Sequence, residues 1–248
     1  MKTIKLSFYL ALFALVLAAC TNDKQPLDNA LVEVEQPSVQ STLQYIPKRE
    51  IDKKTGLLAP YIAMPNPYLL QKGRIDKQSV VLFIEARRLF KAKQYDEAKV
   101  VLDKLVQADG TLSGPWVMLG DIAELKGDLT QAAEFFSKAL TINEVNMNAY
   151  IRLAKVQRLQ GDFVRAQNVY ATALSHWQDF PEAHLNLAIL LDVYMNDTAT
   201  AQRHMEAYQF LTDGKDEQAE TWLREMQSRT GLAVELNVEQ APAVSPAT

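Results

Sequence analysis

Small and large apolar residues recur through the middle of the chain at a fixed interval of 34 residues. The small residues form two series, first Ala86, Gly120, Ala154 and Ala188, and then Ala98, Ala132 and Ala166. Large apolar residues follow the second series four positions later, at Leu102, Phe136 and Tyr170. A period of this length indicates a stack of identical units, in which small residues let two helices approach and large residues fill the space between units. The pattern predicts an all-α solenoid of helical hairpins.

The repeat frame predicts four hairpins, and turn residues fall inside them at the expected places. Glycine followed by aspartate at Gly127 and Gly161 marks two of these turns, because glycine readily adopts positive φ and a carboxylate caps the following helix. Asn196 followed by Asp197 serves the fourth hairpin in the same way. The second small residue of that hairpin, Ala201, comes one residue late, which predicts an insertion near Tyr194. The predicted repeats are residues 79–112, 113–146, 147–180 and 181–214.

The segments after the repeats have a different pattern. Residues 215–231 place four apolar side chains at i, i+3, i+4 and i+7, which predicts an amphipathic helix that closes the open end of the stack. These side chains are Ala219, Trp222, Leu223 and Met226. Residues 232–248 contain interspersed prolines and no helical period, and they predict a disordered tail.

The amino terminus has the three-part form of an export signal, which occupies residues 1–19. Lys2 and Lys5 precede an apolar run that is too short to span a bilayer, since a spanning helix needs about 20 residues. The run is followed by Leu17, Ala18, Ala19 and Cys20. Cys20 is the only cysteine in the 248 residues, which excludes an intramolecular disulfide and leaves lipidation as its natural use.

The repeats resemble the tetratricopeptide repeat, whose pattern has a bulky residue, then leucine and a small residue, then alanine, an aromatic residue and another alanine. The unit 113–146 carries this pattern at Trp116, Leu119, Gly120, Ala132, Phe136 and Ala139. The unit 147–180 carries it at Tyr150, Leu153, Ala154, Ala166, Tyr170 and Ala173. The resemblance implies a solenoid of about four repeats that binds other proteins.

Residues 17–20 resemble the lipobox of bacterial lipoproteins. This resemblance implies cleavage after Ala19 and a covalent lipid on Cys20, and no other cofactor is expected. Several acyl chains, with each buried CH₂ worth about 0.8 kcal/mol, would make the attachment effectively permanent. Thr21 at the next position is, by the same resemblance, compatible with sorting to the outer membrane. The repeats would then face the periplasm from a lipid-anchored position in the cell envelope.

Residues 20–78 carry six prolines and no sustained period, and they predict a tether that would span on the order of 40 Å as a flexible coil. Within it, residues 57–70 are too apolar to remain free in water. Two interpretations of this segment stay open. It caps the amino end of the stack by packing on the first repeat, or it is a linear motif that docks on a partner or in the protein's own groove.

Charge and motif content argue against several functional classes. Residues 20–248 contain 24 Lys and Arg against 30 Asp and Glu, an acidic balance that argues against nucleic-acid binding. There is no G-x-S-x-G, no H-E-x-x-H and no phosphate-binding glycine loop, so no enzyme activity is expected. His176, His184 and His204 lack ligand partners at metal-site spacing, so no metal is expected. The basic run at residues 87–93 reads as a solvated helix face, or as a contact for anionic head groups or an acidic partner.

The tetratricopeptide resemblance also implies a concave groove into which the fifth, ninth and twelfth positions of each repeat point. The fifth positions are Phe83, Val117, Ile151 and Leu185. The ninth positions are Arg87, Asp121, Lys155 and Ile189, and the twelfth are Phe90, Glu124, Arg158 and Asp192. This surface suits a peptide or helix with apolar anchors and mixed charge, although the apolar row also suits packing between helices. Chaperone-binding members that clamp a terminal carboxylate have Lys and Asn where this chain has Phe83 and Arg87, so that mode is not expected.

These features predict a non-catalytic adaptor that is anchored by lipid, faces the periplasm and binds envelope proteins in its groove. Lipoproteins of this plan resemble pilotins, the repeat lipoprotein of the outer-membrane barrel-assembly machine, adaptors for peptidoglycan hydrolases, and repeat proteins that accompany TonB-type transducers. The sequence does not choose among these machines. The alternative is an envelope module that binds or processes a small ligand or a glycan strand, for which a deep pocket with converging polar groups would be needed.

Overall fold

The computed structural model describes residues 37–236, and within that range eight helices form four consecutive hairpins. The hairpins are α1 (Lys77–Lys91) with α2 (Tyr95–Ala108), α3 (Ser113–Leu125) with α4 (Leu129–Ile142), α5 (Met147–Leu159) with α6 (Phe163–His176), and α7 (Pro181–Ile189) with α8 (Thr198–Leu211). A final helix, α9 (Glu217–Thr230), packs against α8. The predicted all-α solenoid with a carboxyl-terminal helix is confirmed. No helix among the described residues is long and apolar enough to cross a membrane.

The periodic small residues lie where the two helices of each hairpin touch. All seven members of the two series are buried, the six alanines as well as Gly120. Phe136, beside Gly120, is also fully buried. A Cβ atom added to Gly120 would overlap the Phe136 ring. In the first hairpin the equivalents of Gly120 and Phe136 are Ala86 and Leu102. The absence of a side chain at Gly120 therefore makes room for the Phe136 ring.

Positive φ occurs at the same register in each hairpin turn. Gly127 and Gly161 have φ of 82° and 83°, and Asn196 has 55°, as the sequence predicts. Lys93 occupies the equivalent place in the first hairpin with φ 60°, which sequence reasoning missed because lysine gives no signal for a left-handed conformation.

The predicted carboxylate caps form in two of the three places. Asp128 accepts a hydrogen bond from the backbone N–H of Gln131, and Asp197 accepts one from that of Thr200. Asp162 makes no such cap; its carboxylate lies 3.1 Å from the Arg165 guanidinium instead. The cap expected at Asp162 is therefore wrong.

The inserted residue of the fourth repeat lies in a turn of π-helix. Helices α2, α4 and α6 begin at Tyr95, Leu129 and Phe163, which are 34 residues apart, whereas α8 begins 35 residues later at Thr198. Leu190–Tyr194 continues α7 with i→i+5 geometry, which accommodates one extra residue without breaking the helix. The structure thus shows how the slip near Tyr194 is absorbed.

The first hairpin is built as the end of the stack. Leu119 and Ile122 of α3 are buried, whereas the residues at the same repeat positions in α1 are Glu85 and Arg88, both exposed. A repeat with no preceding neighbour needs a polar outer face, which explains the missing leucine in this unit.

The carboxyl end is more ordered than the sequence suggests. Residues 232–236, predicted as part of a disordered tail, contact α8 through Arg203, which donates to the Ala233 carbonyl at 2.9 Å and pairs with Glu235 at 2.9 Å. Leu236 is buried. The tail prediction is wrong for these residues, and residues 237–248 lie outside the described range.

Residues 38–71, which we name the strap, lie along the solenoid. Ser38 and Gln40 exchange three hydrogen bonds of 2.9 Å with Asn168 and Gln167 of α6. Further along, Gln71 exchanges two with Asn143, at the end of α4. The strap therefore runs back from the third and fourth hairpins toward the first. The predicted free tether is wrong for these residues, and the apolar segment 57–70 does not simply cover the first repeat.

Candidate partner-binding groove

The first helices of successive hairpins lie side by side, with α3 against α5 and α5 against α7. This arrangement places the predicted fifth-position row along one continuous face. Phe83, Ile151 and Leu185 are half-buried, as is Ile189 one turn further on, whereas Val117 is buried with 8% of its surface exposed. The row thus contributes to packing between helices and still offers apolar surface.

Charged residues of this face pair between neighbouring first helices. Asp121 of α3 contacts Arg152 of α5 at 2.6 Å, and Glu124 of α3 contacts Lys155 of α5 at 2.5 Å. Sequence reasoning placed Asp121 and Lys155 in the groove and missed Arg152. Opposite charges separated by 31 residues, which is one repeat less one helical turn, are the signal that would have identified both pairs. The middle of the groove is therefore neutralised internally.

The Asp121 carboxyl has a raised pKa. Burial is the main cause, and it outweighs the guanidinium of Arg152, which lowers the pKa. This partly buried carboxylate joins α3 to α5 through its cationic partner, and this role needs no bound ligand.

The carboxyl end of the groove is covered by α9 and the π-turn. Arg158 donates to the Tyr194 hydroxyl at 2.7 Å, and its guanidinium lies 5.1 Å from the centre of that ring. Asp192 accepts from Arg229 at 2.8 Å and from the Trp222 indole at 3.1 Å. Burial raises the pKa of Asp192, but the hydrogen bonds from Arg229, Thr198 and Trp222 outweigh it and hold the pKa below its usual value.

Residues 61–64 of the strap contact the turn between α6 and α7. The Met64 backbone N–H donates to Asp179 at 2.6 Å, and the Trp177 indole donates to the Met64 carbonyl at 2.7 Å. Tyr61 donates its hydroxyl to Asp179 at 2.5 Å and packs edge-on against Phe210, with ring centres 5.0 Å apart. Burial, and then the bond to Asp179, raises the pKa of Tyr61. The docked strap leaves the fifth-position row of the middle hairpins available.

Two buried histidines join the strap to the fourth hairpin. His184 of α7 and His204 of α8 have no exposed surface, and their Nδ1 atoms are 2.9 Å apart. His184 Nε2 donates to the Gln178 carbonyl at 2.9 Å, because a carbonyl can only accept. In the neutral pair, His204 Nδ1 then donates to His184 Nδ1, and the Thr42 hydroxyl donates to His204 Nε2 at 2.7 Å. The two histidines are 20 residues apart in the sequence, and this spacing gives no signal for their contact.

Burial dominates the titration of this pair. It lowers the pKa of His184 to about 4, although the Gln178 carbonyl and the Asp179 carboxylate act in the opposite direction. Burial, and then the proximity of His184, lowers the pKa of His204 well below its usual value. Among the described residues, no cluster of three or more His, Cys, Asp and Glu is placed to hold a metal ion.

Comparisons with known proteins agree with this architecture. A tetratricopeptide repeat family model matches residues 114–146. Among solved structures, MamA (residues 41 to the end) from Desulfovibrio magneticus RS-1 is 16% identical with a TM-score of 0.54, and the match covers 64% of this chain and 88% of that one. PilF of Pseudomonas aeruginosa is 15% identical with a TM-score of 0.55, covering 62% and 69%.

A tetratricopeptide repeat protein from Parabacteroides merdae ATCC 43184 is 17% identical with a TM-score of 0.54, and the match covers 62% of each chain. No curated protein matches this sequence. Identities this low carry the fold and nothing finer. The four hairpins, the register of their small residues and these matches together show that residues 77–211 adopt the tetratricopeptide-repeat fold.

Proposed function

We propose that this protein is a non-catalytic scaffold, anchored to the cell envelope by a lipid on Cys20 and facing the periplasm, that binds envelope proteins through the groove of its first helices. The single observation that carries this proposal is the continuous face on which the half-buried apolar row lies beside the ion pairs joining α3 to α5. Such a face suits an extended segment or helix of another protein. Its place is in an assembly or transport machine of the pilotin, barrel-assembly, hydrolase-adaptor or TonB-associated kind.

The alternative, a module that binds or processes a small ligand or glycan, has less support from the groove. That chemistry needs polar groups that converge on a pocket. The groove carboxylates Asp121 and Glu124 instead contact cations of the neighbouring helix, and Asp192 is held by α9. These groups are engaged in joining helices, which favours the scaffold.

The docked strap changes how far the solenoid stands from the membrane in this proposal. Cys20, the proposed lipid site, lies 17 residues before Pro37, where the described part of the chain begins. A chain of that length spans at most about 60 Å even when fully extended. Because residues 38–71 lie along the solenoid, they add no reach. In this proposal the tether is therefore limited to the segment before the strap, which is shorter than the sequence predicts.

Crosslinking from the groove tests the proposed scaffold. We expect a photoreactive amino acid at position 155, whose side chain is about half exposed, to trap a discrete envelope protein in living cells. The matched control is position 104 on the exposed face of α2, where no such adduct is expected. Mass spectrometry of the adduct would name the machine. Identical adducts from both positions, or none from 155 in a folded product, would contradict binding in the groove.

The proposed lipid anchor has a separate test. We expect Cys20→Ser to prevent lipid attachment and to release the protein from membranes washed at alkaline pH, because no acyl chain would then enter the bilayer. Thr21→Ser is the control and should remain membrane-bound. Equal retention of the Cys20→Ser variant after the wash would remove the lipoprotein part of the proposal.

A further inference from the structure

A cavity of about 710 Å³ lies at the amino end of the groove, between the strap, the start of α1 and the start of α3. Its apolar walls include Tyr68, Ile75, Val80, Phe83 and Ile84. Of these, Ile75, Val80 and Ile84 are 40–60% exposed. This volume is in the range of pockets that bind small ligands or a few side chains. One wall comes from the segment after the strap, so the repeats alone do not create it.

The charge around this cavity is opposite to that of the rest of the protein. Residues 72–93 contain seven Lys and Arg against two Asp and Glu, whereas residues 94–236 contain twelve against twenty-one. Lys72 lines the cavity, and no Asp or Glu does. The amino end is therefore a basic site on an acidic molecule.

The cations share the exposed face of α1 with the apolar side chains. Arg87 and Arg88 follow Ile84 by three and four residues, and Lys77 precedes Val80 by three, so they are neighbours on the helix surface. Among the described residues, none of the seven cations in 72–93 forms an ion pair with a carboxylate. This contrasts with the middle of the groove, where Arg152 and Lys155 are both paired.

We infer that this cavity binds an acidic segment of the partner protein that inserts apolar side chains between the strap and α1. The apolar walls take the side chains, while Lys72, Arg87 and Arg88 attract the carboxylates that flank them. α3 also begins at the cavity, and its N-cap residue Leu112 offers no side-chain acceptor, so a carboxylate there meets the positive end of a helix. The inference rests on the proposed scaffold function and gives the chemistry of its partner.

The test uses fluorescence anisotropy with the full-length lipidated protein in detergent. The probe is a fluorescein-labelled short peptide in which leucine and phenylalanine alternate with aspartate. Two matched peptides replace every aspartate by lysine, or every apolar residue by serine. We expect only the acidic apolar peptide to bind, and we expect added salt to weaken its binding because the cations are exposed.

Charge reversal locates the site. We expect Arg87→Glu with Arg88→Glu to weaken peptide binding by about tenfold or more, which corresponds to about 1.4 kcal/mol. Lys104→Glu with Lys138→Glu, an equal change of charge at exposed positions of α2 and α4, should change binding by less than about twofold. Ile84→Ser should weaken binding several-fold, because an exposed aliphatic side chain of the wall is lost. Unchanged thermal melting of each variant would show that the fold is intact.

Several results would overturn the inference. The first is failure of the acidic peptide to bind, and the second is an equal loss of peptide affinity in the two charge-reversed variants. The third is binding of the protein to phosphatidylglycerol vesicles through Arg87 and Arg88 without peptide binding, which would assign the surface to lipid. Crosslinking from position 155 tests the scaffold proposal independently of the peptide experiments. If adducts at 155 persist while the acidic peptide does not bind, only the inference about the amino-end cavity fails.

Discussion

Lowering the pH from 7.5 to 5 is expected to reduce the free energy of unfolding by about 2 kcal/mol through the buried His184, with a further loss through His204. The unfolded chain binds a proton at each imidazole below about pH 6.5, whereas the folded pKa of His184 is about 4 and that of His204 is well below its usual value. Folding therefore excludes protons in this range. The stabilisation is fully present above about pH 6.5 and is lost as the pH falls toward 4.

The hydrogen bonds of the histidine pair do not oppose the first proton. Resistance to that proton therefore comes from burial. A cationic His204 could donate to His184 from Nδ1 and to the Thr42 hydroxyl from Nε2, so one proton leaves every hydrogen bond possible. A second proton, on His184 Nδ1, would place two N–H donors face to face. Because Thr42 belongs to the strap, we expect its end of the network to loosen first.

Urea denaturation at a series of pH values measures this effect. Between pH 6.5 and 5, carboxylates of ordinary pKa remain ionised, and the raised pKa of Asp121 acts with the opposite sign, so a loss of stability in that window reports the histidines. We expect His204→Gln, which keeps a donor and an acceptor beside Thr42 but cannot be protonated, to reduce the slope. A slope unchanged by His204→Gln, or a stability that is constant across the window, would contradict the assignment of neutral buried imidazoles.

The repeat fold could be predicted from the sequence because its determinants are periodic. A small residue such as Gly120 or Ala132 is needed wherever the two helices of a hairpin touch. A large apolar residue such as Phe136 is needed to fill the space beside them, so the same signal recurs in each repeat. Even the insertion near Tyr194 was visible as a one-residue change of register.

The strap and the ion pairs of the groove could not be predicted in the same way. The strap depends on single contacts such as Met64 with Asp179 and Thr42 with His204, which occur once and leave no period in the sequence. Its prolines and lack of helical period predict irregular structure, and the strap is irregular apart from a 3-10 turn at Leu43–Tyr45 and one turn of α-helix at Pro67–Leu70. Irregular backbone can still dock when its polar groups find partners. The groove positions followed from the family frame, whereas the pairing of Asp121 with Arg152 required knowing which turns of neighbouring helices face each other.

Replacing Arg203 by alanine is expected to lower the free energy of unfolding by about 3 kcal/mol. The guanidinium lies 3.1 Å from Glu206, which is only 1% exposed, and also holds the Ala233 carbonyl and Glu235. Removing one partner of a buried pair leaves an uncompensated charge. The resulting loss of stability is much larger than the stability that the intact pair contributes. The released segment 231–236 should also become sensitive to limited proteolysis.

An exposed ion pair in the same fold provides the matched control. Lys99 and Asp103 of α2 are 2.7 Å apart at i,i+4, with side chains about 40% exposed, so Lys99→Ala should cost no more than about 0.5 kcal/mol. Arg203→Met combined with Glu206→Leu should recover part of the lost stability, because it removes both charges and refills the space. If Arg203→Ala proves as mild as Lys99→Ala in urea denaturation at neutral pH, the Glu206 carboxylate does not depend on its cation. In that case the hydrogen bonds from Gln202 and from the Glu235 backbone suffice to keep Glu206 buried.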